Sequence, residues 1–368
     1  MTDIPTRRVR LALLFGGRSP EHDVSLTSAR SVLGALDPAR FDVVPMAIGR
    51  DGRWLSGPAS QRLLSGPSPS GGAALVPLEA GGLVPDADLG ATVDVVFPLL
   101  HGPFGEDGTV QGLLELLNLP YVGAGVAASA TGMDKALMKA LFVQQALPVL
   151  PYRVITRHVW ARQRERILRG LSDTPGFPCF VKPSNMGSSI GVSRVDTSDA
   201  LGPALDLAFQ YDLKVLVERG VPGYREIECG VLGNDEPQVS VPGEITIRGT
   251  FYDYHTKYTE GEAGLEVPAH VRPDTETTLR NMALEAFAAI DSAGMARVDF
   301  LVSPDESEIW VSEINTIPGF TPYSMYPRLW EASGVTYPEL IARLVDLALD
   351  RHAERASLLR DRNPWPEE

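Results

Sequence analysis

Apolar and polar positions along the first third of the chain predict strands and helices in turn. Short apolar runs at residues 9–17, 41–48 and 93–100 end at glycine, proline or a polar residue and are typical of buried strands. Between the first two runs, residues 24–36 carry apolar side chains at helical spacing. Residues 56–88 are rich in Gly, Pro and Ser and predict an irregular excursion. This alternation predicts a doubly wound parallel sheet.

The pattern changes in the middle of the chain to shorter strands, which favour antiparallel pairing in α+β domains. Residues 134–147 are helical in pattern, and the expected strands read YRVIT, PCFVKP, IGVSRV, KVLVERGV, EIECGVLG, QVSVPGEI, ARVDFLVS and EIWVSEIN. A polar stretch at 249–264 predicts a long loop, and such loops are usually functional or disordered. The chain closes with an amphipathic helix whose apolar face carries Leu340, Ile341, Leu344 and Leu347.

Length and composition limit the number of domains and the kinds of partner. The 368 residues predict two or three domains, for which we take 1–128, 129–222 and 223–368. Asp and Glu exceed Lys and Arg by 47 to 33, and the resulting net charge of -14 argues against nucleic acid and membrane surfaces as partners.

Cys179 and Cys229 lie in apolar runs and are expected to be buried thiols. The N-terminal apolar run is too short for a signal peptide, and no run approaches the ~18 residues of a membrane span, so we expect a cytoplasmic protein.

The stretch FVKPSNMGSSIGVSRV, residues 180–195, carries the first chemical signal. An apolar run ends at Lys182, and residues 184–189 are mostly small or polar before a second apolar alternation begins. Backbone N–H groups of such a loop can surround phosphate oxygens, and a loop between two strands would cover them as a lid. Lys135 and Lys257 stand in two further short motifs, although a single lysine is most often solvated surface.

Three oxygen-bearing side chains follow the period of two that strands impose. Asp299 lies in ARVDFL, and Glu313 and Asn315 lie two apart in SEIN. If these strands pair, the three side chains converge on one face, where Mg²⁺ could take them together with water and phosphate oxygens. The alternative is a solvated strand face that carries ordinary acids. The regular spacing and the flanking apolar residues favour the metal site.

Four further residues lie near the expected ends of strands. Glu218 ends KVLVE and Glu226 follows shortly, where carboxylates among apolar residues suit an adenine pocket and ribose hydroxyls. Glu21 follows the first strand, beyond which open α/β sheets bind ligands, so it suits an ammonium group. Its position alone favours the alternative for Glu21, an acid stabilised by the dipole of the next helix. His101 ends the strand before GPFGEDG and is either a substrate contact or a solvent-facing capping residue.

Seven motifs, taken together and in order, carry a family resemblance over almost the whole chain: GGRSPEHDVS, HGPFGEDG, GMDK, VKPSNMGSSIGV, FYDYHTKY, ARVDF and EINTIPGFT. Through them the sequence resembles the D-alanine–D-alanine ligases of the ATP-grasp superfamily. The resemblance implies a three-domain ATP-grasp architecture of α/β and α+β type, in which an N-terminal doubly wound parallel sheet precedes two α+β domains that enclose ATP. It also implies ADP-forming ligation of two D-alanine molecules through a D-alanyl phosphate, for peptidoglycan precursor synthesis.

The resemblance further implies which residues bind ATP and its metal. The nucleotide-binding residues are Lys135, Lys182, Gly187, Glu218, Arg219, Val221, Glu226, Tyr252 and Lys257. Lys135 and Lys182 would meet the phosphates, Lys257 the terminal phosphate, Glu218 the adenine and Glu226 the ribose. The implied metal is Mg²⁺, as two ions for which Mn²⁺ can substitute, with ligands Asp299, Glu313 and Asn315.

The amino-acid side is implied in the same way, with Glu21, Ser188, Tyr258, Arg297 and Gly319 as catalytic residues and His101 and Ser324 as substrate contacts. Glu21, linked to Ser188 and Tyr258, would hold the ammonium group of the first D-alanine. Arg297 would bind the carboxylate of the second D-alanine and, with the N–H of Gly319, the oxyanion. The loops 184–189 and 252–264 are the two expected lids.

Tyr258 favours an amine acceptor, because relatives that make D-alanyl-D-lactate have phenylalanine there or a different loop. His255 departs from the acidic residue common at its position, which affects the electrostatics of the loop but no assigned role. Formation of D-alanyl-D-lactate or D-alanyl-D-serine stays open as an alternative. A non-catalytic nucleotide-binding module would require the loss of a metal ligand or a phosphate-binding lysine, and all of them are present. The family resemblance also implies a homodimer.

Overall fold

The computed structural model describes the chain at residues 7–55, 57–65, 92–247, 263–321 and 323–359. These residues form thirteen strands and ten helices, numbered here in chain order. The strands belong to one parallel and two antiparallel sheets.

The parallel sheet lies in the N-terminal region, as the alternation of strands and helices predicted. Its strands, in the order β2-β1-β3, are β1 (Val9–Gly16), β2 (Phe41–Ile48) and β3 (Val95–Pro98). Both neighbours run parallel to β1. Three helices of this region are α1 (His22–Ala35), α2 (Gly57–Ser65) and α3 (Thr109–Leu116). The carboxyl end of β1 leads through Gly16 and Gly17 to α1, which places Glu21 beyond the sheet edge.

Helix α2 corrects the prediction of irregular structure from residue 56 onward. Leu64 is buried in the core next to the parallel sheet. The Ser60 hydroxyl accepts a hydrogen bond from the N–H of Ala47 (3.1 Å), so the helix is tied to β2. Pro58 stands at the second helical position, where its missing N–H costs nothing. The rest of the excursion, at 66–88, lies outside the described residues.

The central antiparallel sheet has the order β4-β7-β5-β6. Its strands are β4 (Tyr152–Thr156), β5 (Cys179–Pro183), β6 (Ser193–Val195) and β7 (Lys214–Arg219). Helices α6 (Arg157–Asp173) and α7 (Ser198–Ala208) pack on it around Trp160, Leu171, Leu201 and Leu205. The apolar pattern does not single out α6, because most of its side chains are charged or exposed.

The C-terminal antiparallel sheet has the order β11-β10-β8-β12-β13, with β9 beside β8. Its strands are β8 (Arg225–Gly233), β9 (Gln238–Val239), β10 (Gly243–Ile247), β11 (Ala263–Glu266), β12 (Gly294–Val302) and β13 (Ile309–Asn315). Helices near this sheet are α4 (Val126–Met133), α5 (Lys135–Gln144), α8 (Pro273–Ala289) and α9 (Met325–Ala332). Met138 and Phe142 of α5 share one buried core with Ile227 and Val298 of the sheet. Helix α5 is thereby fixed against the C-terminal sheet.

The last helix, α10 (Tyr337–Ala356), confirms the predicted amphipathic helix. Its residues Leu340, Ile341 and Leu344 are fully buried in the same core as Leu13 and Phe97 of the parallel sheet. The final helix therefore covers the N-terminal sheet, although it follows the C-terminal sheet in sequence. The three domain boundaries stay a prediction.

Cys179 and Cys229 are both free and buried, as predicted. Burial raises the pKa of the Cys179 thiol to about 11, which keeps it protonated and unreactive. Among the helices of the described chain, none combines the length and apolar character that crossing a bilayer requires.

Candidate active site

A cavity of about 620 Å³ is lined by residues from the regions of all three sheets. Every predicted site residue within the described part of the chain lines it: Glu21, His101, Lys135, Lys182, Gly187, Ser188, Glu218, Arg219, Val221, Glu226, Arg297, Asp299, Glu313, Asn315, Gly319 and Ser324. The remaining three, Tyr252, Lys257 and Tyr258, lie outside the described residues, as does most of the loop 252–264. Sixteen positions scattered between residues 21 and 324 therefore meet around one space.

One end of the cavity, which we call the Glu218 end, is lined by Glu218, Lys182 and residues 219–221, and Lys139 lies behind Glu218. Glu218 is the penultimate residue of β7 and is only 2% exposed. Lys182, on the neighbouring strand β5, donates a hydrogen bond to Glu218 Oε2 at 2.7 Å. Lys139, from α5, places its Nζ 2.6 Å from Glu218 Oε1. This second contact has the distance of an ion pair but not the angles of a hydrogen bond.

The two ammonium groups decide the charge of Glu218. Burial alone would raise the pKa of this carboxyl group, but Lys139 and Lys182 hold it below its usual range. Burial lowers the pKa of Lys139, and Glu218 opposes that shift. Burial would also lower the pKa of Lys182, yet Glu218 raises it. Glu218 is therefore a carboxylate that can only accept hydrogen bonds.

Lys135 lies one turn before Lys139 and reaches the middle of the cavity. Its Nζ donates to the carbonyl oxygen of Met186 (2.9 Å) and lies 3.4 Å from Glu313 Oε2. Its position is set by Asp134, which caps α5 by accepting from the N–H groups of Ala136 and Leu137. The same carboxylate accepts from the hydroxyl of Ser184 at 2.8 Å. The N-terminus of α5 is thus joined to the root of the loop that follows β5.

That loop has the predicted strand–loop–strand order, since β5 and β6 pair antiparallel with Val181 opposite Ser193. The second strand begins at Ser193 rather than at Ile190, so the loop is longer than the sequence suggested. Ser188 and Ser189 have φ of 49° and 57°, in the left-handed region that costs a non-glycine residue free energy. The loop therefore has a specific bent conformation, and its tip points across the cavity.

The opposite end of the cavity, which we call the Glu21 end, is formed by Glu21, Glu106, His101 and Ser188. The Ser188 hydroxyl donates a hydrogen bond to Glu21 Oε1, as predicted. A methyl group added at Gly187 would lie 3.0 Å from Glu21 Oε2 and 3.7 Å from Glu106 Oε1. A side chain at Gly187 would crowd Glu21 Oε2, so glycine suits this close approach of the backbone.

The Glu21 side chain does not cap helix α1, although Glu21 is the residue at the N-cap position. The simple helix-dipole interpretation therefore does not account for its contacts. His101 is 6% exposed and its Nε2 lies 3.2 Å from the hydroxyl of Ser28, so it is not a solvent-facing cap. Burial lowers the pKa of His101, with Glu21 opposing the shift, so the imidazole is neutral at pH 7.

Glu106 was not among the predicted site residues. Its Oε1 accepts a hydrogen bond from the N–H of Gly102 at 3.0 Å. Burial, followed by the negative charge of Glu21, raises the pKa of Glu106 to about 8, and Lys135 only partly offsets this. The Glu21 end therefore holds two carboxyl groups that cannot both ionise easily.

The candidate metal ligands lie on two strands that pair as expected. Asp299 is directly opposite Glu313, and Asn315 is opposite Arg297, with a bulge after Asp299. The amide of Asn315 donates to Asp299 Oδ2 at 3.0 Å. Within the described residues, no group of three or more His, Cys, Asp or Glu side chains is placed to hold a metal. Two carboxylates and one amide oxygen nevertheless fit Mg²⁺, which keeps several waters and takes phosphate oxygens as its other ligands.

Arg297 lies between two carboxylates. It donates to both oxygens of Asp299, at 2.7 and 2.6 Å, and its Nε lies 2.9 Å from Glu228 Oε2. Burial would lower the pKa of Arg297, but Asp299 and Glu228 raise it well above its usual value. The guanidinium group is therefore charged and held in one orientation beside the cavity.

Gly319 and Ser324 lie at the turn after β13. The Ser324 hydroxyl is 2.8 Å from the hydroxyl of Thr321 and accepts a hydrogen bond from the backbone N–H of Thr321 at 3.0 Å. A methyl group at Gly319 would lie 2.7 Å from the Ser324 Oγ, so a side chain there would collide with this turn. The turn thus brings a backbone N–H and a hydroxyl to the same wall of the cavity.

The predicted site residues left out several charged residues in or behind the cavity wall, among them Lys139, Glu106 and Glu228. Lys139 follows Lys135 by four positions in a predicted helix, a spacing that places both on one face. Glu228 follows Glu226 by two in a predicted strand, which also means a shared face. These spacings could have identified both residues. Glu106 stands in the quoted motif HGPFGEDG, but nothing in the local pattern separates it from Asp107.

Comparison with known proteins gives the following matches. A family model described as "D-ala D-ala ligase N-terminus" matches residues 10–124, and one described as "D-ala D-ala ligase C-terminus" matches residues 141–346. A D-alanine–D-alanine ligase of Geobacillus kaustophilus is 48% identical, over 95% of this chain and 97% of that protein. One of Heliobacterium modesticaldum is 49% identical, over 96% of this chain and 98% of that protein.

Two solved structures resemble the chain over nearly its whole length. The D-alanine–D-alanine ligase from Coxiella burnetii gives a TM-score of 0.78 at 34% identity, over 95% of this chain and 97% of the other. The VanG D-Ala:D-Ser ligase from Enterococcus faecalis gives a TM-score of 0.78 at 31% identity, over 93% of this chain and 100% of the other. These likenesses confirm the predicted fold class.

Proposed function

The chain belongs to the D-alanine–D-alanine ligase family, and from this premise we propose that it joins two D-alanine molecules at the expense of ATP. The first D-alanine carboxylate would be phosphorylated, and the amine of the second would displace phosphate to form D-alanyl-D-alanine. Such a dipeptide serves peptidoglycan precursor synthesis.

The observation that carries the proposal is the hydrogen bond from Ser188 to Glu21. It joins the Gly/Ser loop of the central sheet to a carboxylate beyond the N-terminal sheet, across the cavity. The root of this loop is Lys182, at the Glu218 end, and its tip is at the Glu21 end. One loop therefore touches both the site suited to a nucleotide and the site suited to an amino acid.

At the Glu218 end we assign the adenine to Glu218 and to the backbone of 219–221, and the ribose to Glu226. Tyr224 donates to Glu226 Oε1 at 3.1 Å, which orients that carboxylate. Lys182 and Lys135 are assigned to the phosphates, together with the N–H of Gly187. Positive charge held in place is what phosphoryl transfer requires, because the transferred group spreads its charge over several oxygens.

Asp299, Glu313 and Asn315 would hold Mg²⁺, as two ions for which Mn²⁺ can substitute. When bound, the metal neutralises phosphate charge and polarises the phosphoryl group. Glu313 lies between the two ends, since its charge acts on Lys182 and Lys139 as well as on Glu106. The proposed metal ligands would therefore lie where a terminal phosphate and a substrate carboxylate meet.

At the Glu21 end, Glu21 would bind the ammonium group of the first D-alanine, and Ser188 and the neutral His101 would fix its orientation. Arg297 and Ser324 would bind the carboxylate of the second D-alanine. The N–H of Gly319 and the Arg297 guanidinium would stabilise the oxyanion that forms when the amine attacks. An acyl phosphate hydrolyses in water, so closure of the Ser188 loop would protect it.

The roles proposed for Tyr252, Lys257 and Tyr258 fall outside the described residues and stay predictions. The same holds for the homodimer and the cytoplasmic location. Tyr258 remains the basis on which we favour D-alanine as acceptor.

A D-serine acceptor is the second candidate, because a structure with 31% identity is a D-Ala:D-Ser ligase. D-Lactate is the third acceptor to compare within this family. All three reactions use the same first substrate, so the distinction depends on the acceptor alone.

The test is ADP formation by the full chain with ATP and Mg²⁺, with and without D-alanine, followed by mass analysis of the product. We expect ADP release to require D-alanine and the product to be D-alanyl-D-alanine when D-alanine, D-serine and D-lactate compete. ADP release with another amino acid but not with D-alanine would refute the proposal. A mixed dipeptide or depsipeptide as main product would establish the alternative acceptor.

A further inference from the structure

Lys139 is a buried lysine for which the proposed mechanism has no role. Its side chain is 2% exposed, and it lies behind Glu218 rather than in the wall of the cavity. Lys135, four residues earlier on the same helix, does line the cavity. Helix α5 therefore presents two ammonium groups on one face, and only one of them can touch a ligand.

Keeping an ammonium group in this position is costly, because removal from water disfavours the charged form. Glu218 Oε1, at 2.6 Å, is the acid that offsets the cost. The side chain of Lys139 makes no hydrogen bond with the geometry of a directed contact among the described residues. A methylene-rich residue such as methionine could fill the same volume without a charge. Packing alone therefore does not explain why a lysine stands here.

The two lysines on Glu218 differ in how free they are to leave it. Lys182 is 20% exposed and lines the cavity, so phosphates in the cavity can draw its ammonium group away. Lys139 cannot follow, because it is enclosed in the core between α5 and the sheets. Once Lys182 turns to a phosphate, Lys139 is the cation that remains on Glu218.

The cavity that Glu218 lines has apolar lining residues that include Leu150, Phe180 and Ile314, and Phe180 is opposite Glu218 in the strand pairing. Among the described residues, further ionisable groups near it include Tyr152, which is opposite Glu218 in the strand pairing, and Tyr224. Burial and the charge of Glu218 raise the pKa of Tyr152, so it stays neutral. A flat base lying in this part would meet one carboxylate edge that accepts hydrogen bonds and donates none.

We propose that Lys139 is a positioning residue that keeps the Glu218 carboxylate ionised and fixed. The site thereby prefers a purine that has an amino group at the edge facing Glu218 over a purine that has a carbonyl group there. The inference rests on the proposed placement of the nucleotide base at Glu218. An amino group donates a hydrogen bond to the carboxylate. A carbonyl oxygen would instead place two hydrogen-bond acceptors against each other, which weakens binding in a site closed to water. Without Lys139, Glu218 could take up a proton, donate to the carbonyl and lose the distinction.

The test compares ADP with inosine diphosphate, which carries a carbonyl oxygen where ADP carries the amino group. Calorimetric titration of the full chain with each nucleotide gives two dissociation constants and their ratio. We expect the unmodified protein to prefer ADP, and Lys139→Met to reduce the preference by about tenfold, the value of one hydrogen bond to a charged group. An unchanged ratio within about twofold of the unmodified protein would overturn the proposal, whatever happens to the unfolding temperature.

A second variant keeps the proposal testable if Lys139→Met does not fold. Glu218→Gln replaces the carboxylate by an amide that both donates and accepts, so the preference for ADP should fall there too. In the Glu218→Gln background, Lys139→Met should change the ratio no further, because its effect passes through Glu218. Additive effects of the two substitutions, or an unchanged ratio in Glu218→Gln, would contradict the inference.

Arg164→Met is the matched control. Arg164 forms a half-exposed ion pair, at 2.6 Å, with Asp206 on α7. Its replacement by methionine therefore also removes a cation from a carboxylate of the central region. Arg164 is not part of the cavity wall, and we expect the variant's nucleotide ratio to equal that of the unmodified protein. A ratio altered as much as in Lys139→Met would show a general charge effect and refute the specific role.

The binding measurement separates this inference from the proposed reaction. It uses no amino acid, so a protein with a different acceptor or a different first substrate would still show the nucleotide preference. A protein that forms D-alanyl-D-alanine but shows no change of ratio in Lys139→Met would keep its proposed function and lose only this inference.

Discussion

At the Glu218 end of the cavity one buried carboxylate is held by two ammonium groups, whereas at the Glu21 end two carboxyl groups lie together. Lys139 and Lys182 keep Glu218 ionised, so that end is complete in charge before any ligand arrives. Glu21 accepts a hydrogen bond from the Ser188 hydroxyl, Glu21 and Glu106 both lie close to Gly187, and the pKa of Glu106 is raised to about 8. The Glu21 end is therefore short of a cation.

The difference indicates what each end is built to receive. A carboxylate that ammonium groups already neutralise and hold in one orientation suits recognition of a neutral base by hydrogen bonds. A pair of carboxyl groups short of a cation suits an ammonium group, whose arrival relieves the repulsion. The strand pair β12–β13 lies between them and carries the candidate metal ligands. Substitutions can therefore act on one end alone or on the residues that join the two ends.

The largest effect should come from Glu313→Ala, which acts on both ends. Loss of a ligand between the phosphates and the amino acid should reduce D-alanine-dependent ADP formation by about a thousandfold or more. Glu308→Ala is the control, since Glu308 is exposed in the turn that connects β12 to β13 and its replacement should leave the rate unchanged. Retention of more than about a tenth of the activity in Glu313→Ala would contradict the assignment.

Glu21→Gln and Glu218→Gln should separate the ends. Loss of a charged hydrogen-bond partner should raise the KM for D-alanine about tenfold to a hundredfold in Glu21→Gln and leave ADP binding unchanged. Glu218→Gln should weaken ADP binding and leave the KM for D-alanine unchanged. Steady-state kinetics and calorimetry measure the two quantities. If either variant changed both quantities equally, the division into two ends would be wrong.

The pH dependence of D-alanine binding should reveal the pair of carboxyl groups. Below about pH 8, Glu106 holds a proton, which it must release before its charge can attract an ammonium group. The affinity for D-alanine should therefore rise with pH. The rise should be at most about tenfold per pH unit between about pH 6 and 8, and Glu106→Gln should flatten it. Titration of the nucleotide-free protein at several pH values measures it. An affinity that is constant, or that falls as pH rises, would show that Glu106 does not face the ligand.

The smallest effect should come from Ser188→Ala, which removes only the hydroxyl between the loop and Glu21. The loss of one hydrogen bond to a carboxylate should lower kcat/KM for D-alanine by about tenfold and leave the unfolding temperature unchanged. Ser198→Ala serves as the control, because Ser198 is exposed at the start of α7. Equal kinetics in the two variants would mean that the loop does not act through this contact.

Local pattern was sufficient for much of the fold. The parallel strands, the antiparallel strands around Lys182 and the final amphipathic helix were all predictable, because alternation and helical spacing are properties of neighbouring residues. Helix α6 was not predictable in this way, since its apolar contacts are few and its surface is charged. Helix α2 was hidden by a composition rich in Gly, Pro and Ser, and its burial depends on the core beside β2.

For the site, the chain order of the motifs was enough to name residue types and their family roles. It was not enough to name the charge partners, because most of those partners are far apart in sequence. Glu218 is paired with Lys139 and Lys182, and Arg297 is held by Glu228 as well as by Asp299. The pKa of each group depends on burial and on charges a few ångströms away, and neither is a property of the local sequence. The motifs therefore identify the chemistry, while the packing of α5, β5 and β7 sets the charge on Glu218.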